Sequence, residues 1–116
     1  MSEKTDVARL RFVLSKIEDL RGYQARFADL DALFQDHMAY DAVLMCLLQI
    51  GETLRKVANP VWRGRLPVQG AYVVRNIITH EYEGVDQAII ARILVDEIPS
   101  LGDAVRKCLA EAGEKR

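Results

Sequence analysis

Tyr40 to Pro60 reads YDAVLMCLLQIGETLRKVANP, and its periodicity decides the fold class. Tyr40, Leu44, Leu47, Gly51 and Leu54 recur at three- and four-residue steps, and Val43, Ile50 and Val57 form a second stripe beside them. Such a wide apolar face belongs to a helix at the centre of a bundle rather than on its surface. Asp36 is placed to cap its start, and Asn59-Pro60 ends it. At 1.5 Å per residue the helix would span roughly 33 Å.

The flanking sequence supplies partners for that face. Leu10, Val13, Leu14, Ile17 and Leu20 predict a helix over 6–21, with Gly22 ending it. FADLDALFQD has no sustained period and predicts a short helical turn or a packed connection. NPVWRGRLP concentrates prolines, a glycine and a tryptophan where the chain must turn. Pro67 suits the first turn of a third long helix, since its missing N–H is no loss there, and Gly84 is expected to interrupt that helix. Asp86 would cap a fourth helix running through Glu97, with Ile89, Ile90, Ile93 and Leu94 inward, and Pro99 would break it. A fifth helix then buries Leu101, Ala104, Val105, Cys108, Leu109 and Ala112, and the tail at 112–116 frays. No segment alternates with period two over strand length. The expectation is all-α: an antiparallel bundle of about five helices in a single domain spanning 1–116.

Bulk properties narrow the function. With a net charge of −1, the chain is no polyanion-coating protein, and any nucleic-acid contact must be local. Cys46 and Cys108 stand far apart in apolar helical patterns, which reads as buried thiols in a reducing compartment. The charged start MSEKTDVARLRF is unlike a signal peptide, and the longest apolar run, Ala42 to Leu48, is too short to span a bilayer. A cytoplasmic protein without membrane contact is expected.

Chemistry concentrates in the third long helix, in RNIITHEY from Arg75 to Tyr82. Advancing about 100° per residue puts Arg75, Asn76, Thr79, His80, Tyr82 and Glu83 on one half. Ala71, Val73, Val74, Ile77 and Ile78 fill the other, with Glu81 intruding. Solvent faces favour Lys, Glu and Gln; Asn, Thr, His and Tyr are indifferent helix formers, so something besides solvation selects them. Two readings stay open on the wheel alone. In the structural one, His80 complements the helix dipole, Tyr82 rests on a bundle edge and Arg75 pairs with an acid. In the chemical one, the Arg75 guanidinium binds phosphate oxygens while His80 gives and takes protons near neutrality. Those functions suffice for metal-free RNA cleavage, in which a base takes the ribose 2′-proton, the oxygen attacks phosphorus, and an acid protonates the departing 5′-oxygen. His37, at the start of the second helix, has no recognisable partner for a second proton transfer. A two-fold axis beside the polar half would instead bring two copies of His80 and Arg75 into one cleft.

Arg75, Asn76, His80 and Tyr82 form R-N-x-x-x-H-x-Y, which resembles the signature of the HEPN domain superfamily and, more narrowly, the HepT-like toxins of prokaryotic toxin–antitoxin pairs. QIGETLRKV before a Pro-Trp turn, then RNIITHEYEGVD, then EIPSL keep that subgroup's order from Tyr40 to Leu101. The resemblance implies a homodimer joined through the motif helices that cuts RNA without metal or cofactor. Carried over by position, Arg75 and His80 are catalytic, Asn76 orients them, and Tyr82 supports them. It also implies an MntA-like nucleotidyltransferase antitoxin that silences the toxin by adenylylating Tyr82. Glu83, where relatives often carry an aromatic residue, and the Pro and Gly in RGRLPVQGAY depart from the pattern.

Outside the motif, Gly51 would permit close helix approach and Glu52 would brace the motif, although an ordinary surface glutamate is the simpler reading. Arg63 and Arg65 are candidates for RNA contact, and Trp62 suits a core anchor better than a base-stacking platform. No H-E-x-x-H, phosphate loop or metal-ligand spacing is present. Two rivals remain: a non-catalytic HEPN module that binds a nucleotidyltransferase or nucleotide, and a helical adaptor whose polar stripe makes interface hydrogen bonds.

Overall fold

The computed structural model describes residues 3–113, and within them every regular element is helical. Seven α-helices occur among the described residues: α1 (Glu3–Ala25), α2 (Leu30–Gln35), α3 (His37–Arg55), α4 (Pro60–Arg65), α5 (Val68–His80), α6 (Gln87–Arg92) and α7 (Ile98–Gly113). The all-α expectation is met.

Helix α3 is the axis of the bundle. Val43, Leu44, Leu47, Ile50, Gly51 and Leu54 are all buried, as their spacing requires. The helix packs chiefly between α1 and α5, while α7 closes against α1. Cross-contacts fix antiparallel directions on both sides of α3. Asp6 of α1 meets Ala58 and Asn59 just beyond the α3 C-terminus, and on the other flank Glu52 meets Arg75 while Arg55 meets Tyr72. Asp36 caps α3 as expected, its carboxylate accepting from the Ala39 N–H at 2.9 Å.

Several boundaries differ from the expectation for identifiable reasons. Gly22 does not end α1, which continues to Ala25. The region 27–36 holds the short helical alternative of the expectation, α2, capped by Asp29 accepting from the Ala32 N–H. The expected turn after Asn59 is also helical: Asn59 Oδ1 accepts from the Val61 and Trp62 N–H groups, Pro60 occupies the first turn, and Trp62 is buried.

Asp6 makes this corner possible. It is buried, and its two carboxylate oxygens accept from the Ala58 and Asn59 N–H groups at 3.0 and 2.9 Å. Arg9 adds a hydrogen bond to the Lys56 carbonyl at 2.7 Å.

Pro99 does not break the C-terminal helix. A π-helical turn, Ile93–Glu97, joins α6 to α7 without interruption. There the Ile98 N–H bonds the Ile93 carbonyl, five residues back. This wider turn absorbs the donor that proline lacks and the room its ring needs. Ile90, Ile93 and Leu94 are buried as expected, but Ile89 is 41% exposed. Likewise Val73, on the apolar half of the wheel, is 46% exposed. Helix α7 continues through Gly113 with Ala112 buried, so the expected fraying does not begin there; the remainder of that tail, 114–116, lies outside the described residues. No helix is long and apolar enough to cross a membrane among the described residues.

The motif helix also stops early. Helix α5 ends at His80, Glu81 leaves helical geometry at φ −131° and ψ 39°, and Tyr82–Gly84 forms a 3-10 turn. Three local forces favour the stop. Thr79 Oγ1 bonds back to the Arg75 carbonyl at 2.9 Å, Glu81 and Glu83 oppose the negative helix terminus, and Asp86 starts α6 by accepting from the Ala88 N–H.

Candidate active site

The motif arginine is held from three sides. Arg75 lies on the flank of α5 facing α3, with its Nη2 3.0 Å from Glu52 Oε2 and its Nη1 donating to Asn76 Oδ1 at 2.8 Å. Its Nε is buried with no acceptor. The Tyr72 ring lies below, its centroid 5.5 Å from the guanidinium carbon. Arg55, the last residue of α3, places its own guanidinium carbon 4.1 Å over the same ring.

This packing depends on how closely the helices approach. A β-carbon at Gly51 would stand 2.5 Å from the Ala71 carbonyl oxygen and 2.8 Å from the Arg75 β-carbon, so only glycine fits there. Glu52, one residue on, is thereby brought to the arginine. It braces the motif and is not the ordinary surface glutamate that is simpler from sequence.

His80 is the exposed final residue of α5, and its side chain makes no hydrogen bond or ion pair among the described residues. It lies five positions after Arg75, about 140° around the helix and about 7.5 Å along it. Within one chain the imidazole and guanidinium therefore do not share a face. Their meeting requires a second copy or a change of conformation. His37, at the first position of α3, is exposed and lies about 22 Å along that helix from Glu52.

Tyr82 differs most from its expected place. Because α5 ends two residues earlier, the ring is not on the helical line of Arg75. It folds across a cleft lined by Asp41, Met45, Ile78 and Thr79. Its hydroxyl donates to the Asp41 carboxylate, and that bond, with desolvation and the charges of Asp41 and Glu83, raises its pKa above the ordinary tyrosine value. The ring remains 50% exposed.

The two arginines of α4 have structural partners. Arg63 donates from Nη1 to the carbonyls of Arg55 and Val57 at 2.8 and 2.7 Å, satisfying groups at the end of α3. Arg65 pairs with Glu111 of α7. Each side chain thus has an intramolecular partner, and both residues are exposed. The residue sequence reasoning passed over is Arg55, whose one signal was its three-residue offset from Glu52 on the same helix face.

The fold and this polar seam define an all-helical module built around a braced Arg75–Asn76 pair, with His80 exposed at the end of the same helix. The Ribonuclease HepT-like family model matches residues 13–108. The chain belongs to that family, which carries ribonuclease activity at the family level. Searches of curated proteins and of solved structures find no match.

Proposed function

We propose that the chain is the toxin of a prokaryotic toxin–antitoxin system, a cytoplasmic, metal-independent endoribonuclease acting as a homodimer. The observation carrying this reading is the fixed Glu52–Arg75–Asn76 cluster on a helix that ends in an exposed His80. A carboxylate and an amide pin the guanidinium at one geometry, while the imidazole is left open for proton transfer.

In this reading the polar faces of two α5 helices line one cleft. One His80 takes the proton of the ribose 2′-hydroxyl, and the freed oxygen attacks the adjacent phosphorus. The second His80 gives a proton to the departing 5′-oxygen, so the products are a 2′,3′-cyclic phosphate and a 5′-hydroxyl. Arg75 donates the terminal N–H groups that Glu52 and Asn76 leave free to the phosphoryl oxygens as negative charge builds there, and Asn76 keeps its fork oriented. No redox partner enters and the protons balance.

Tyr82 is the site of control. An MntA-like nucleotidyltransferase antitoxin transfers adenylyl groups from ATP to its hydroxyl, with release of pyrophosphate and the phenolic proton, and the added bulk and charge obstruct RNA entry near His80. Its exposure and its position two residues after His80 support that role.

The test is RNA cleavage by purified protein in EDTA. Products ending in 2′,3′-cyclic phosphate, lost in His80→Ala and Arg75→Ala proteins that retain their helical content, support the mechanism. Abolition by chelator removes it. RNA binding without turnover would instead identify a non-catalytic module.

A further inference from the structure

Arg75 carries little uncompensated charge. One terminal nitrogen is committed to the Glu52 carboxylate and the other to Asn76. An RNA strand approaching this seam therefore meets a nearly neutral Arg–Glu pair, although a polyanion needs a net cation to displace its counterions.

That cation stands one helical turn away. Arg55 is exposed, and no carboxylate lies within ion-pair distance of it among the described residues. The Tyr72 ring supports its guanidinium at 4.1 Å, a contact that uses the face of the cation and leaves its N–H groups for other acceptors. Its main chain is fastened as well, since the Arg55 carbonyl accepts from Arg63 at 2.8 Å. Placement in the last turn of α3 sets the positive charge at the favourable end of the helix dipole. Arg55 and Arg75 flank one aromatic ring, so a strand whose scissile phosphate reaches Arg75 passes beside Arg55.

We infer that Arg55, supported by Tyr72, is a phosphate-binding residue of the site, gripping an RNA phosphodiester next to the one that is cut. Arg75 acts on the reacting phosphate and Arg55 supplies the charge that holds the strand. The inference rests on the ribonuclease reading, and binding can be measured apart from turnover.

The experiment titrates a fluorescently labelled, mixed-sequence single-stranded oligoribonucleotide with His80→Ala protein at several salt concentrations, with and without a change at Arg55. Arg55→Ala should weaken binding about tenfold and make the dependence of log K on log salt shallower by about 0.7, the increment for one phosphate contact on a single strand. Arg55→Lys should restore the slope while recovering affinity only in part, because an ammonium lacks the planar fork. Tyr72→Leu should lower affinity with the slope intact. Since Arg55 is a surface side chain, its variants should keep the parental thermal transition, and Arg55→Gln provides an independent neutral substitution. Unchanged affinity and slope in Arg55→Ala and Arg55→Gln would overturn the assignment, as would a lack of RNA binding by His80→Ala protein at low salt. If wild-type protein cleaves RNA while Arg55 is silent, only this assignment fails. If Arg55 governs binding but wild-type protein never cleaves, the assignment stands and the ribonuclease reading fails.

Discussion

Gly51 and Arg75 are packed so closely that a β-carbon on the glycine would lie 2.8 Å from the arginine's own. The site therefore depends on the spacing of two helices, and the motif arginine is set by α3 as much as by α5. Gly51→Ala must push backbone against backbone, because the Ala71 carbonyl would stand 2.5 Å away. Overpacking of this kind costs about 1 to 3 kcal/mol. Urea unfolding should show the loss as a lower midpoint at unchanged slope, and RNA cleavage should fall further than stability alone explains. Full activity in a stable alanine variant would show that the close approach is unimportant.

Glu52 should matter for catalysis far more than for folding. Its ion pair with Arg75 is partly exposed, with side-chain accessibilities of 39% and 24%, and such pairs contribute at most about 1 kcal/mol. Glu52→Ala is expected to leave the thermal transition within a few degrees of wild type and to lower kcat by about tenfold or more as the guanidinium loses its orientation. Single-turnover cleavage alongside a melting curve measures both.

Asp6 should show the reverse pattern. Asp6→Ala strands the Ala58 and Asn59 N–H groups in a part-buried corner, and unsatisfied donors cost about 1 to 3 kcal/mol. Stability should drop by that order in denaturant titration, while cleavage at low temperature by the folded fraction stays near wild type.

The two thiols make stability fall at alkaline pH. Burial is the main cause raising the pKa of both Cys46 and Cys108. The folded chain thus holds these protons more tightly than the unfolded chain. Their contribution is intact below the unfolded thiol value of about 8.5 and is lost as pH rises toward and through the folded values. Melting temperature should decline over that range, and less so in a Cys46→Ala, Cys108→Ala double variant. Native protein should also react slowly with a thiol reagent at pH 8. Rapid reaction would mean that the thiols are accessible.

The parts of this architecture legible in sequence were those governed by helical period. The stripe of Val43, Leu44, Leu47, Ile50 and Leu54 identifies the central helix because every member is buried in one core. The motif residues were legible for a different reason, since their chemistry is unusual for a solvent face. The end of α5 was not, because Thr79 back-bonding and acidic residues at a helix terminus leave the apolar period unaltered. The continuation past Pro99 was hidden too: a π turn depends on local backbone room, which residue types do not encode. The use of Glu52 on Arg75, and of Arg63 on the α3 carbonyls, depends on the register between helices and emerges only when the bundle is assembled.

The central claim is that imidazoles from two chains act on one phosphate, and mixed dimers test it most directly. Wild-type and His80→Ala chains, unfolded and refolded together at varied ratios and constant total protein, should give cleavage that follows the square of the wild-type fraction, because a single altered chain disables the shared cleft. Activity proportional to the wild-type fraction would contradict the account, since each chain would then carry a site of its own.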